Sequence, residues 1–160
     1  MINVFTIGVY NSTEESFFDK LLRNKIDLFC DIRQRRGVRG SQYKYVNSNY
    51  LQHKLLDVGI NYSHIKELAP TQEIRQKQKE ADILNNETKK LRTTLGKVFA
   101  HEYVIQILDK FDMDAFVIRL KAEGVTNVVF LCVEEHAAAC HRSLVAQRLA
   151  EKLGCKIINL

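Results

Sequence analysis

The chain has 160 residues, 46% of them hydrophobic and 27% charged, with a single Pro. That balance excludes a disordered tail, a collagen-like fibre and a small disulfide scaffold, and the length predicts one domain over residues 1–160. The net charge of +5 is concentrated: from Ile32 to Leu56 there is no acid, while Arg33, Arg35, Arg36, Arg39, Lys44 and Lys54 are all cationic.

No apolar run approaches the ~20 residues that span a bilayer, and no basic region precedes an apolar stretch at the start. The sequence therefore predicts a cytoplasmic protein with no membrane partner, its four Cys kept as reduced thiols. Ile2 to Val9 reads as a first strand ending near Gly8, and Ser12 or Thr13 ahead of Glu14 and Glu15 as a helix N-cap. Phe17, Phe18, Leu21 and Leu22 make one face of that helix, and Ile26 to Ile32 is the second predicted strand. Asn47 or Ser48 caps a helix carrying Leu51, Leu55 and Val58 and closed by Gly59; Ile60 to Ile65 returns as a third strand. The polar stretch from Thr71 to Arg92, reaching to about residue 94, reads as an exposed helix or a lid. Helical segments follow over Leu95–Leu108 and Met113–Glu123. Val125 to Val133 is the strongest strand signal, and its near-continuous apolar content suits a strand covered on both faces. A helix over Cys140–Leu153, ended by Gly154, and a strand over Cys155–Leu160 complete the chain. This alternation predicts an α/β fold: a mainly parallel sheet of about five strands flanked by helices, a Rossmann-like three-layer sandwich.

In such sheets ligands bind beyond the carboxyl ends of the strands, and the polar residues gather there. Tyr10 follows the first strand, Asp31 and Arg33 the second, His64 and Glu67 the third. Cys132, Glu134, His136, Cys140, His141 and Arg142 end or follow the fourth. Cys140 at a helix start, beside His141 and Arg142, is the predicted nucleophile, because the helix dipole and adjacent cations lower a thiol pKa. Arg142 would hold an oxyanion or phosphate and Glu134 or His141 would transfer protons, with Cys132 and Asp31 completing the catalytic set. Arg33, Arg35, Arg36, Arg39, His64, Glu67 and Tyr10 form the predicted ligand-binding set. Four Arg within seven residues, followed by Tyr43, Tyr45 and Tyr50, point to phosphates and stacked bases, so the expected partner is nucleic acid or a phosphate-containing small molecule. No cofactor is expected.

Other readings stay open. The Arg run could be a solvated loop and Cys140 a space-filler, leaving a non-catalytic nucleic-acid-binding module. Cys132, His136, Cys140 and His141 offer a zinc-type donor set, although the gap between Cys132 and Cys140 does not fit a zinc spacing. A phosphatase loop does not fit either, since nine residues separate Cys132 from Arg142 and Cys140 lies only two positions before it. Cys30 and Cys155 read as core residues, and His53 and His101 as helix-surface residues.

Thr6-Ile7-Gly8, Asp31-Ile32-Arg33, Gly59-Ile60-x-Tyr62-x-His64-x-x-Glu67-Leu68, and Cys132-x-Glu134 with Cys140-His141-Arg142 resemble, in this order and over nearly the whole chain, the domain of unknown function family 488. Arg35-Arg36-Gly37-Val38-Arg39-Gly40 with Leu68-Ala69-Pro70 is similar to one branch of it, and His136-Ala137 stands where the common pattern has Asp-Pro. The resemblance implies an α/β fold and a bacterial or archaeal cytoplasmic protein; it names no reaction.

Overall fold

The computed structural model describes residues 1–160. β1 (Asn3–Ile7), β2 (Leu28–Asp31), β3 (Asn61–His64), β4 (Asn127–Leu131) and β5 (Ile157–Asn159) form one sheet in the order β3-β2-β4-β1-β5. Every pairing is parallel. Helices α1 (Glu14–Arg23) and α2 (Ser48–Asp57) cover one face, and α3 (Gln72–Leu84), α4 (Lys97–Tyr103), α5 (Met113–Ala122) and α6 (Arg142–Leu153) the other. This is the predicted three-layer α/β arrangement.

The period-two alternation of the strands builds the two cores. Val4, Leu28, Cys30, Val128 and Phe130 face Phe116, Val145 and Leu149. Phe5, Ile7, Phe29, Val129 and Leu131 face Phe17, Leu21, Leu51 and Leu55. β4 is central and buried on both faces from Val128 to Leu131, which accounts for its unbroken apolar run. Thr13 starts α1 with a capping box shared with Ser16. No helix is long and apolar enough to cross a membrane.

Each strand is shorter than the one the sequence predicts. Ile2, Val9, Ile26, Ile32, Ile60, Ile65, Val125 and Val133 are all buried, yet they pack in the flanking turns rather than within the strands. Apolar content reports burial, not pairing. The polar stretch after Thr71 is helical only over Gln72–Leu84, and the segment after α4 continues as one π-helical stretch, Val104–Leu108. The start of α6 differs from expectation: Ala137–Ala139 form a 3-10 turn, Cys140 is extended, and the helix begins at Arg142.

The topology opens a crevice at one edge of the sheet. From β1 the chain crosses to β2 through α1 on one face; from β4 it crosses to β5 through α6 on the other. The loops leaving these adjacent strands diverge and open a crevice at their carboxyl ends. Gly8 sits there with no room for a side chain: a Cβ would overlap the Glu134 carbonyl oxygen and lie 3.1 Å from Arg142 Nη2. Gly8→Ala is expected to destabilise the fold by about 1–3 kcal/mol, read as a lower urea midpoint; an unchanged midpoint would show that the β4–α6 turn yields freely.

Candidate functional site

The β1–β4 crevice opens into a cavity of about 980 Å³ whose floor includes Cys132, Glu134, Cys140 and His141. Cys132 follows β4 directly and is 5% exposed; Cys140, brought back by the 3-10 turn, is 1% exposed. His141 Nε2 lies 3.1 Å from the Ile32 carbonyl oxygen. A carbonyl only accepts, so Nε2 carries a proton and Nδ1 is the ring nitrogen that faces both sulfurs. Nδ1 is 3.9 Å from Cys132 Sγ and 3.7 Å from Cys140 Sγ. The gap between the two Cys does not fit a zinc spacing in the sequence, and the 3-10 turn over Ala137–Ala139 brings them together.

Glu134 completes the floor. Its Oε2 is 3.2 Å from Cys132 Sγ, and its Oε1 takes Arg92 Nη2 at 3.0 Å and Lys89 Nζ at 3.7 Å. A hydrogen bond from Cys140, against the cost of burial and with help from His141 and Lys89, holds the Cys132 thiol well below the usual range. Burial, reinforced by bonding to the Cys132 thiolate, pushes Cys140 well above it. Burial and the Cys132 charge raise Glu134. At His141 burial disfavours the imidazolium, but Cys132 and Glu134 outweigh it and the pKa ends above its ordinary value. Cys132 Sγ and Glu134 Oε2 are thus in direct contact at the cavity floor. Of the two sulfurs the lowered one is Cys132 and the raised one is Cys140, the nucleophile the sequence predicts. Cys140 is extended rather than helical, and its own N–H is spent on Ala137 O at 3.1 Å.

The remaining predicted residues divide. Asp31 Oδ1 accepts from Arg33 N at 3.1 Å and Nε at 2.8 Å, and Oδ2 from Arg33 Nη2 at 2.7 Å and Tyr62 Oη at 2.9 Å. Asp31 is thus a buried anchor for Arg33, and it does not line the cavity. Arg33 does line it, and its Nη1 is buried with no partner. Arg142 donates to Glu134 O at 2.5 Å and Glu135 O at 2.9 Å; it braces the turn and does not line the cavity. Arg35, Arg39 and Tyr10 line the cavity. Arg36 reaches the Tyr62 hydroxyl at 3.5 Å, His64 Nε2 the Arg33 carbonyl at 3.0 Å, and Glu67 is exposed; none of the three lines the cavity. Tyr45 is buried with its hydroxyl 2.6 Å from Ser12 Oγ, and Tyr50 bonds Glu14 at 2.6 Å, so of the three interleaved Tyr only Tyr43 lines the cavity. His136 is more than half exposed beside Glu135, outside the Cys132–Cys140–His141 cluster.

The polar segment after Thr71 contributes residues that sequence reading leaves out. Arg92, 6% exposed, donates to Asp82 Oδ2 at 2.7 Å, Glu134 Oε1 at 3.0 Å and Ala139 O at 3.1 Å. Gln78 bonds Asp82 Oδ1 at 2.7 Å and accepts from Gly96 N at 2.8 Å. Ile74, Gln78 and Asp82 are the buried positions of α3; their i, i+4, i+8 spacing marks one helix face and is the signal available in the sequence. Lys79, Lys89 and Lys90 add cations to the cavity lining.

An α/β domain with a thiol, imidazole and carboxylate cluster beneath a cationic cavity is the class that fold and site define. The chain belongs to the family described as Domain of unknown function DUF488, whose model matches residues 13–149, a span that holds the whole floor cluster. No curated protein and no solved structure matches it.

Arg92→Met strands two buried carboxylates, and the expected loss is about 3–5 kcal/mol in urea denaturation. Arg92→Lys recovers only part of it, because a point charge cannot serve three acceptors in the geometry of the guanidinium fork. Full stability in Arg92→Met would contradict this bracing role.

Proposed function

We propose that this domain is an enzyme that binds a phosphate-containing ligand, a nucleotide or the end of a nucleic acid, in the cavity and presents it to the Cys132–Glu134–Cys140–His141 floor. The observation that carries the reading is the ring of cations over that floor: Arg33, Arg35, Arg39, Lys79, Lys89 and Lys90 line one concave space. Arg33 is held in place by Asp31 and the Val46 carbonyl while one guanidinium nitrogen is left unpaired. A buried donor without a partner costs free energy that an incoming anion recovers. Asp82, Glu87 and Glu134 also line the cavity, but Arg92 bridges Asp82 and Glu134 and leaves the other cations in excess.

A mononucleotide suits the cavity better than a long single strand. A stacking platform needs a row of available rings, and Tyr45 and Tyr50 are committed to internal hydrogen bonds. Tyr43 and Tyr10 remain at the wall, their ring centroids 5.7 Å apart with Lys90 Nζ 5.5 Å from Tyr10.

Calorimetric titration with 5′-nucleoside mono- and diphosphates, inorganic pyrophosphate and a short oligonucleotide tests the reading. Binding is expected to weaken with salt and to fall about tenfold or more when Arg35 and Arg39 are both replaced by Ala. Oligonucleotide binding that ignores Glu134→Gln and is not matched by any nucleotide would favour a non-catalytic module. Absence of binding by every probe would refute the proposal.

A further inference from the structure

We propose that Cys132, Cys140 and His141 form a three-donor site for a zinc-class divalent ion, with its open coordination position on the phosphate cavity. The inference deepens the reading above and rests on it for the ligand that would meet the open position. Sγ of Cys132, Sγ of Cys140 and one ring nitrogen of His141 lie within 4.8 Å of one another. Bonds of about 2.3 Å to sulfur and about 2.0–2.1 Å to nitrogen at tetrahedral angles place sulfur and nitrogen roughly 3.5 Å apart. The observed separations are 3.9 and 3.7 Å, so small side-chain rotations close the set. The Ile32 carbonyl fixes the proton on Nε2 and frees Nδ1 as the donor, the orienting contact that metal-bound imidazoles require.

Two buried sulfurs compete for a single imidazole nitrogen. Two thiolates on a divalent cation resolve that competition and leave the centre neutral, and soft sulfur with imidazole selects zinc over magnesium or calcium. Three protein donors and one open position are the pattern of a catalytic site rather than a closed structural one. Glu134 is placed as a proton acceptor and not as a fourth ligand: Oε1 is engaged by Arg92 and Lys89, while Oε2, 3.2 Å from Cys132 Sγ, is within reach of water on an ion held by that sulfur. The donor set differs from the one the sequence offers, because exposed His136 is not part of it.

The test is elemental analysis of the full-length protein after dialysis against zinc, with cobalt titration of the metal-free form as a second readout. About one zinc per chain is expected, with thiolate-to-cobalt charge-transfer absorption. Cys132→Ser and Cys140→Ser, checked for folding by circular dichroism, are expected to lower zinc affinity at least about 100-fold. His136→Ala and Cys155→Ser are expected to keep it. No bound ion in the folded wild type, or loss of the ion in His136→Ala alone, would overturn the proposal. Nucleotide binding measured on the same samples separates the two readings: phosphate binding without zinc defeats the metal site alone, and zinc without phosphate binding defeats the ligand reading alone.

Discussion

The guanidinium of Arg92 ties together three parts of the chain that are distant in sequence. It reaches Asp82 on α3, Glu134 just beyond β4 and the carbonyl of Ala139 in the turn before α6. Burying this cation is tolerable only because each arm has an acceptor, and burying Glu134 is tolerable only because the cation is there. The polar segment after Thr71 is thereby fastened over the end of the sheet, and Glu134 is aimed at Cys132. Arg142 performs the matching task from beneath, fixing the Glu134 and Glu135 carbonyls against Gly8. Two buried arginines, each bonded to protein acceptors, thus brace the floor of the cavity.

The sheet explains why the floor lies where it does. β4 is central, and the crossovers from β1 and β4 depart to opposite faces. The crevice this creates receives Cys132 from the strand end, Arg33 from the end of the neighbouring β2, and Cys140 with His141 from the return of the chain into α6. A rigid strand and a braced turn hold the thiols, while the more exposed Arg35, Arg39, Lys89 and Lys90 line the space above. Buried groups held by protein contacts beneath more exposed cations are the division of labour that the proposed anion site requires.

Much of this was legible in residue order alone. The double-faced apolar run of β4, the helix caps at Thr13 and Gly154, and the gathering of polar residues at strand ends each follow from local physics, and they were enough to place the site at the carboxyl edge. Strand limits were not legible, because Ile32 and Val133 bury themselves without extending the strands. Roles within the site were harder still. Asp31, the last residue of β2, anchors Arg33 two positions on and leaves one guanidinium nitrogen unpaired; Arg142 turns back to carbonyls that no composition argument would select. Cys132 carries the lowered pKa because Cys140 and His141 converge on its sulfur, a contact made by the folded return of the chain and not by neighbours in sequence. Arg92 is missed because a polar segment reads as solvated until its buried face, Ile74, Gln78 and Asp82, is recognised.

The central claim is that Cys132, Cys140 and His141 act as one donor set at the cavity floor. Thiol alkylation of the native, zinc-dialysed protein, mapped cysteine by cysteine with and without a chelator, tests it most directly. The account predicts that Cys155 labels at the same rate in both conditions, while Cys132 and Cys140 are protected until the chelator is added and then Cys132 labels ahead of Cys140. Labelling of Cys132 and Cys140 that ignores the chelator and proceeds independently at the two sulfurs would contradict it.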